Sequence, residues 1–176
     1  MLDSFGIKKF LVFSIALFFV QSSMSQAEEL SRFQRAKWQL VSGTATHYFP
    51  GSILHSSTAT ERGKVDMSTE TIDLFGDLSG RILYHVRSEF DFVNGTLKNT
   101  GIQVFSGTVN GSEPILLLDD DFIFKVNLDS GETRGKVFLT KRLDGHKTEC
   151  FLNVIGVGFD DQGNGLANYS GRCRVK

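Results

Sequence analysis

The chain has 176 residues, a formal net charge of −1, 18 glycines and only two prolines and two cysteines. This near-neutral balance, with no basic stripe, excludes proteins that hold nucleic acid or an anionic membrane surface through charge. A chain of this length buries enough surface for one hydrophobic core, so a single domain is the simplest organisation.

The first 27 residues have the layout of a secretory signal peptide. Lys8 and Lys9 form a positive n-region, Phe10–Val20 is an eleven-residue apolar run, and Ser25-Gln26-Ala27 supplies small residues for cleavage. A bilayer span needs about twenty apolar residues, so this run is too short for a membrane anchor. We expect an exported protein, periplasmic or extracellular, that keeps no membrane segment after cleavage. Its mature domain, 28–176, carries 17 basic and 19 acidic residues, a net charge of −2.

The mature chain predicts eight strands. In chain order they are Trp38–His47, Lys64–Leu74, Arg81–Phe92, a strand from the Asn94-Gly95 turn to Val109, Ile115–Leu128, a strand around Gly135–Lys141, and the two strands of the last hairpin. The stretch Phe49–Ser57 reads as a loop because it contains Pro50-Gly51. Alternation is clearest in Arg81–Phe92, where one face is apolar and the other charged, as in an antiparallel sheet with one wet side.

Turn glycines separate the later strands at intervals of 16, 20, 14 and 18 residues, at Gly95, Gly111, Gly131, Gly145 and Gly163. These intervals accommodate hairpins and leave no room for a long helix. Eight up-and-down strands close into a barrel that holds side chains or one small ligand. The alternative is a two-sheet β-sandwich, whose Greek-key crossovers call for longer connections.

Cys150 and Cys173 lie at equal distances from the Asp160–Gly163 turn, so folding the chain about that turn brings the two thiols together. In an exported protein this arrangement predicts a cross-strand disulfide. The same register pairs Leu152 with Gly171, Val154 with Tyr169, Gly156 with Ala167 and Gly158 with Gly165.

One face of this hairpin is built from small residues, namely Gly156, Gly158, Gly165, Ala167 and Gly171. Glycine inside a strand weakens the strand. The cluster therefore indicates either a sharply curved strand pair or space left for a ligand.

The run Asp119-Asp120-Asp121 interrupts an apolar strand and allows three interpretations. Under strict alternation, Asp120 shares the inner face with Phe122 and Phe124, where desolvation favours a neutral carboxyl suited to a general acid or a ligand-binding group. A β-bulge would instead turn all three carboxylates to solvent. Calcium is the third interpretation, although adjacent strand residues point to opposite faces and cannot converge on one ion without a loop.

The other candidate ligand-binding residues are Phe122, Phe124, Tyr84 and Tyr169. Each of the two tyrosines lies on a predicted inner face where its hydroxyl needs a partner. Either tyrosine could equally be a core residue bonded to a backbone carbonyl. Together with Asp120, Tyr84 is also the candidate for catalysis. The four histidines look scattered, and no zinc spacing, hydrolytic triad or phosphate-binding loop is present, so we predict no metal and no cofactor.

The stretch from Lys64 to Tyr169 resembles the allene oxide cyclase-like barrel group, which includes plant dirigent proteins and small bacterial cyclases. The residues that carry the resemblance are the glycine-punctuated segments Phe75–Gly80, Val104–Gly111 and Leu128–Gly135. The resemblance implies an eight-stranded barrel with an apolar lumen, in which several members steer cyclisation or coupling of an apolar substrate. It carries no catalytic residue over to a numbered position here.

Three functions remain open from the sequence. The first is a carrier that binds a small, largely apolar molecule in the barrel lumen. The second is a cyclase or isomerase acting there, which needs a buried acid such as Asp120 beside a cavity. The third is a structural or interaction module with a filled barrel. Cavity volume separates the third from the others, and the oligomeric state is left open.

Overall fold

Strands dominate the computed structural model, which describes Ser31 and residues 36–175; the predicted leader, 1–27, lies outside the described residues. Residues Lys37–Lys176 form one compact unit. Its strands are β1 (Gln39–His47), β2 (Ile53–Ala59), β3 (Gly63–Gly76), β4 (Leu78–Asp91), β5 (Thr96–Val109), β6 (Ile115–Asp119), β7 (Ile123–Asn127), β8 (Thr133–Leu139), β9 (Lys141–Asp144), β10 (Thr148–Phe159) and β11 (Gly165–Val175).

Eight antiparallel strands close into a barrel in the order β1, β3, β4, β5, β7, β8, β10 and β11. The ring closes because β1 pairs with β11 on one side and with β3 on the other. The remaining strands lie outside this ring, where β2 pairs with β3, β6 with β5, and β9 with β6. The prediction of an eight-stranded barrel is confirmed.

The segment predicted as a loop, Phe49–Ser57, is only partly irregular. A single 3₁₀ turn occupies Phe49–Gly51, and β2 begins at Ile53. All residues of β2 are exposed, including Ile53 and Leu54 at 60% and 59%. The prediction was wrong here because an outer strand with two wet faces shows no alternation of apolar and polar residues.

One end of the barrel is filled by apolar side chains. They come from the starts of β1, β4 and β10 and from the ends of β5, β8 and β11, and include Val41, Leu78, Val109, Leu139, Cys150 and Cys173, each at most 2% exposed. The predicted disulfide between Cys150 and Cys173 is present and belongs to this core.

The last hairpin has the predicted register along most of its length. Gly156 lies opposite Ala167, as predicted, but Gly158 lies opposite Leu166 and not Gly165. A bulge between Gly156 and Gly158 causes this shift, because it adds one residue to β10 that has no partner in β11.

The acidic run divides one predicted strand into β6 and β7. The buried positions have odd residue numbers before the break and an even residue number after it. Before it, Leu117 and Asp119 are buried; after it, Phe122 is buried. Asp120 is therefore exposed, and the interpretation that placed it on the inner face is wrong because strict alternation fails at this position. The bulge interpretation is correct in outline but not for Asp119, whose carboxylate is buried at 1% exposure.

Candidate ligand-binding cavity

The barrel encloses a cavity of about 260 Å³ towards the end opposite the disulfide. Most of its lining is aliphatic or aromatic, with Ile72, Leu74 and Leu152 among the contributing residues. Phe49 and Phe159 also line it and are 43% and 66% exposed, so they mark its opening to solvent. Their rings contact each other, with centroids 6.0 Å apart.

Small residues form one wall of the cavity. Ala45 of β1, Ala167 of β11 and Gly156 of β10 are cross-strand partners in one row. A Cβ atom added at Gly156 would lie 2.8 Å from the Cβ of Thr133, and one added at Gly165 would lie 2.8 Å from the Phe49 ring. Larger residues at these positions would therefore fill the lumen or displace its neighbours.

This wall coincides with most of the small-residue face predicted from the sequence. Gly156, Gly158, Gly165 and Ala167 line the cavity. Gly171 is not one of the lining residues. A Cβ there would collide with the carbonyl oxygen of Phe151. Near one end of the hairpin these small residues thus leave space inside the lumen, whereas near the other end Gly171 permits a close approach of two backbones.

A row of four polar residues crosses the opposite wall. Glu70, Tyr84, Gln103 and Asp119 are consecutive cross-strand partners on β3, β4, β5 and β6. Tyr84 and Gln103 line the cavity. The row divides into two hydrogen-bonded pairs, because Tyr84 donates to Glu70 at 2.8 Å and Gln103 donates to Asp119 at 2.8 Å.

His47 joins the first pair from the end of β1. Its Nε2 lies 2.5 Å from Glu70 Oε2 and 3.0 Å from the Tyr84 hydroxyl, while Ser68 donates to the other carboxylate oxygen at 2.5 Å. Burial raises the pKa of Glu70, but hydrogen bonds from His47, Ser68 and Tyr84 outweigh it and leave that pKa below its usual value. Burial first, and then the Glu70 charge, raises the pKa of Tyr84 well above its usual value. The cluster is therefore an ionised carboxylate that orients an imidazole and a neutral phenol at the cavity wall.

The second pair leaves one acceptor unused. Asp119 accepts from Gln103 Nε2 and from the backbone N–H groups of Phe138 at 2.7 Å and Asp121 at 2.8 Å. Among the described residues, no donor reaches Gln103 Oε1 or Asn99 Oδ1, and both atoms are buried. Gln103 and Asn99 both line the cavity.

The predicted site residues are distributed unevenly around this cavity. Tyr84, Phe124 and Tyr169 line it. Phe122 is buried and packs edge-on against Tyr84, with ring centroids 5.7 Å apart. Asp120 lies outside and bonds to Lys141 at 2.5 and 2.6 Å, and this contact lowers the pKa of Asp120.

The hydroxyl of Tyr169 is buried in the barrel wall, where it forms hydrogen bonds with backbone groups. This hydroxyl accepts a hydrogen bond from the backbone N–H of Leu78 at 2.8 Å. Its proton points towards the carbonyl oxygens of Leu78 and Phe75, at 3.1 and 3.2 Å. Burial raises the pKa of Tyr169. Of its two interpretations, the bond to the backbone is the one observed.

The sequence-based predictions did not place five polar residues at the site, namely His47, Glu70, Asn99, Gln103 and Asp119. The sequence did contain a signal for Glu70 and His47. Glu70 lies on the same strand face as Ile72 and Leu74 in β3. His47 lies on the same strand face as Val41 and Ala45 in β1. Each is therefore a polar residue on an inner face. Asp119 carried no such signal, since its orientation depends on where the strand breaks.

No group of three or more His, Cys, Asp or Glu side chains within the described residues is placed to hold a metal ion. In the same part of the chain, no helix is long and apolar enough to cross a bilayer.

Comparison of the chain with protein-family models, curated proteins and solved structures gives no match. The resemblance to the allene oxide cyclase-like group therefore stays a prediction.

Proposed function

We propose that this barrel binds a small, largely apolar molecule in its lumen. The observation that carries the proposal is the cavity of about 260 Å³ beside the wall of small residues. Ligand pockets begin at about 300 Å³, and a dry apolar cavity of roughly 150 Å³ accepts benzene. The cavity is thus of a size for a single ring with a short chain. An open lumen supports a binding protein over a filled structural barrel.

The proposed binding takes place outside the cytoplasm. The disulfide between Cys150 and Cys173 is compatible with an oxidising compartment, and the leader pattern of residues 1–27 favours export. An exported carrier meets its ligand in the periplasm or outside the cell.

Calorimetric titration with ethylbenzene tests the proposal on the purified barrel. Ala167→Leu extends a side chain into the cavity, so ethylbenzene affinity is expected to fall at least tenfold, by a rough overpacking argument. Asn168→Leu is the matched control, because Asn168 is the next residue of β11 and is exposed. Absence of ethylbenzene binding, or equal loss in both variants, would overturn the proposal. Native mass spectrometry of protein purified from its own host then identifies the ligand.

An isomerase or cyclase acting on an apolar substrate is the second candidate, and the cluster of Glu70, His47 and Tyr84 favours it. Glu70 would orient His47 as a base, and Tyr84 would remain a neutral hydrogen-bonding group. An isomerisation needs no oxidant or co-substrate, since the proton taken from one carbon returns to another. Incubation of the ligand recovered from the host tests it: wild type should convert the ligand to an isomer. Tyr84→Phe should bind the ligand but convert it about tenfold more slowly, because it removes one hydrogen bond worth roughly 1.5 kcal/mol in the transition state.

A further inference from the structure

Asp119 fixes the side-chain amide of Gln103 in one orientation. The Asp119 carboxylate already accepts backbone N–H bonds from Phe138 and Asp121, so it presents acceptor oxygens to its neighbours. The donor end of the Gln103 amide must face it, at 2.8 Å. The carbonyl oxygen, Oε1, is therefore the end left without a role in the barrel wall.

That carbonyl oxygen is a buried acceptor beside a cavity. Gln103 is 1% exposed and lines the lumen, and no donor among the described residues reaches its Oε1. The directly opposed residue, Tyr84, cannot serve it because its single proton is donated to Glu70. Asn99 lies two inward positions away on β5 and presents a second buried acceptor, Oδ1, also without a donor in the described part of the chain.

The buried acceptors without donors indicate that a ligand should carry a hydrogen-bond donor. A polar group that loses water without gaining a partner carries a desolvation penalty, which a donor on the ligand removes. A charged donor such as an ammonium would itself be desolvated against the mainly apolar lining, at a larger cost. A neutral O–H group meets both conditions.

We infer that the lumen selects apolar molecules bearing a neutral hydroxyl, as an alcohol or phenol does, whose O–H group donates to Gln103 Oε1. This inference rests on the proposed binding function and adds the chemical class of the ligand. The cavity then selects a ligand by two properties. Its apolar part must fit against the wall of small residues, and its hydroxyl must donate to the row of polar residues.

Two isomeric probes isolate the donor. Para-ethylphenol and para-methylanisole have the same atoms and similar apolar bulk, but only the phenol carries an O–H group. One hydrogen bond to a buried, otherwise unpaired acceptor predicts that para-ethylphenol binds about tenfold more tightly in calorimetry. Equal affinities would overturn the inference while leaving apolar binding intact. If neither probe binds, the inference and the proposed function fail together.

Gln103→Met then tests the residue itself. It removes Oε1 at similar length, so the phenol should lose its advantage over the ether. Ile102→Met, at the neighbouring exposed position of β5, should keep that advantage. Because Gln103→Met also removes the bond to Asp119 and the variant can fail to fold, wild-type protein supplies a second readout. At saturation, the side-chain amide NMR resonances of Gln103 should shift further with para-ethylphenol than with para-methylanisole, whose ring fills the same cavity without donating a hydrogen bond. A phenol that binds without shifting them further would overturn the assignment.

Discussion

The Asp119 carboxylate accepts a hydrogen bond of 2.7 Å from the backbone N–H of Phe138, across the gap left where β6 ends. The ladder between β7 and β8 stops at the pair of Ile123 and Lys136, so Phe138 lies beyond it. A side chain thereby replaces a missing strand partner in the barrel wall and gives a partly buried backbone N–H group its acceptor.

Asp119→Asn is expected to destabilise the barrel by about 2–3 kcal/mol. The new amide cannot accept from all three donors that now meet the carboxylate, and its own N–H₂ group would oppose a backbone N–H. The measurement is the free energy of unfolding from denaturant titration. Asp120→Asn is the adjacent control, and it should cause a much smaller loss because Asp120 is exposed and pairs with Lys141 in solvent. A larger loss from Asp120→Asn would contradict this assignment of roles.

The same break shows what the sequence could and could not predict. The pairing of Cys150 with Cys173 followed from a turn midway between them, because a hairpin register depends on local geometry. The orientation of Asp119 depends on a bulge whose position is set by contacts with β5 and β8, and these strands are distant in sequence. Glu70 lies between these cases. Its position on the inner face could be predicted from the alternation of β3, but its hydrogen bond to His47 depends on the pairing of β1 with β3.

Reduction of the disulfide is expected to lower the free energy of unfolding by about 3 kcal/mol, by the chain-entropy argument for a loop of 23 residues. Denaturant titration with and without a thiol reductant measures the difference. The double variant Cys150→Ala with Cys173→Ala serves as the control, since reductant should leave its unfolding unchanged. An equal response of wild type and variant to reductant would rule out stabilisation by the bond.

Tyr169→Phe should destabilise the fold by about 1–3 kcal/mol, because it leaves the buried backbone N–H of Leu78 without its acceptor. Tyr48→Phe provides a comparison, as the Tyr48 hydroxyl donates to Asp73 at a more exposed position. Thermal and denaturant unfolding of both variants give the test. Similar small losses in the two would show that the Tyr169 hydroxyl does not support the β3–β4 connection.

The Glu70 carboxylate gives the barrel a specific dependence on pH. Its pKa in the folded protein lies below the ordinary value of 4.5, since hydrogen bonds from His47, Ser68 and Tyr84 outweigh burial. The unfolded chain therefore takes up this proton first as pH falls. The stability contributed by Glu70 is fully present above 4.5 and is lost as pH drops through the lowered folded pKa.

Glu70→Gln removes this contribution, so its free energy of unfolding should fall less steeply below that pH than the wild-type value does. Glu61→Gln, in the exposed turn between β2 and β3, is the matched control and should follow the wild-type curve. The measurement is denaturant unfolding at a series of pH values on either side of 4.5. Parallel curves for wild type and Glu70→Gln would mean that the cluster does not lower the pKa of Glu70. The orientation of His47 and Tyr84 at the cavity wall would then need another cause.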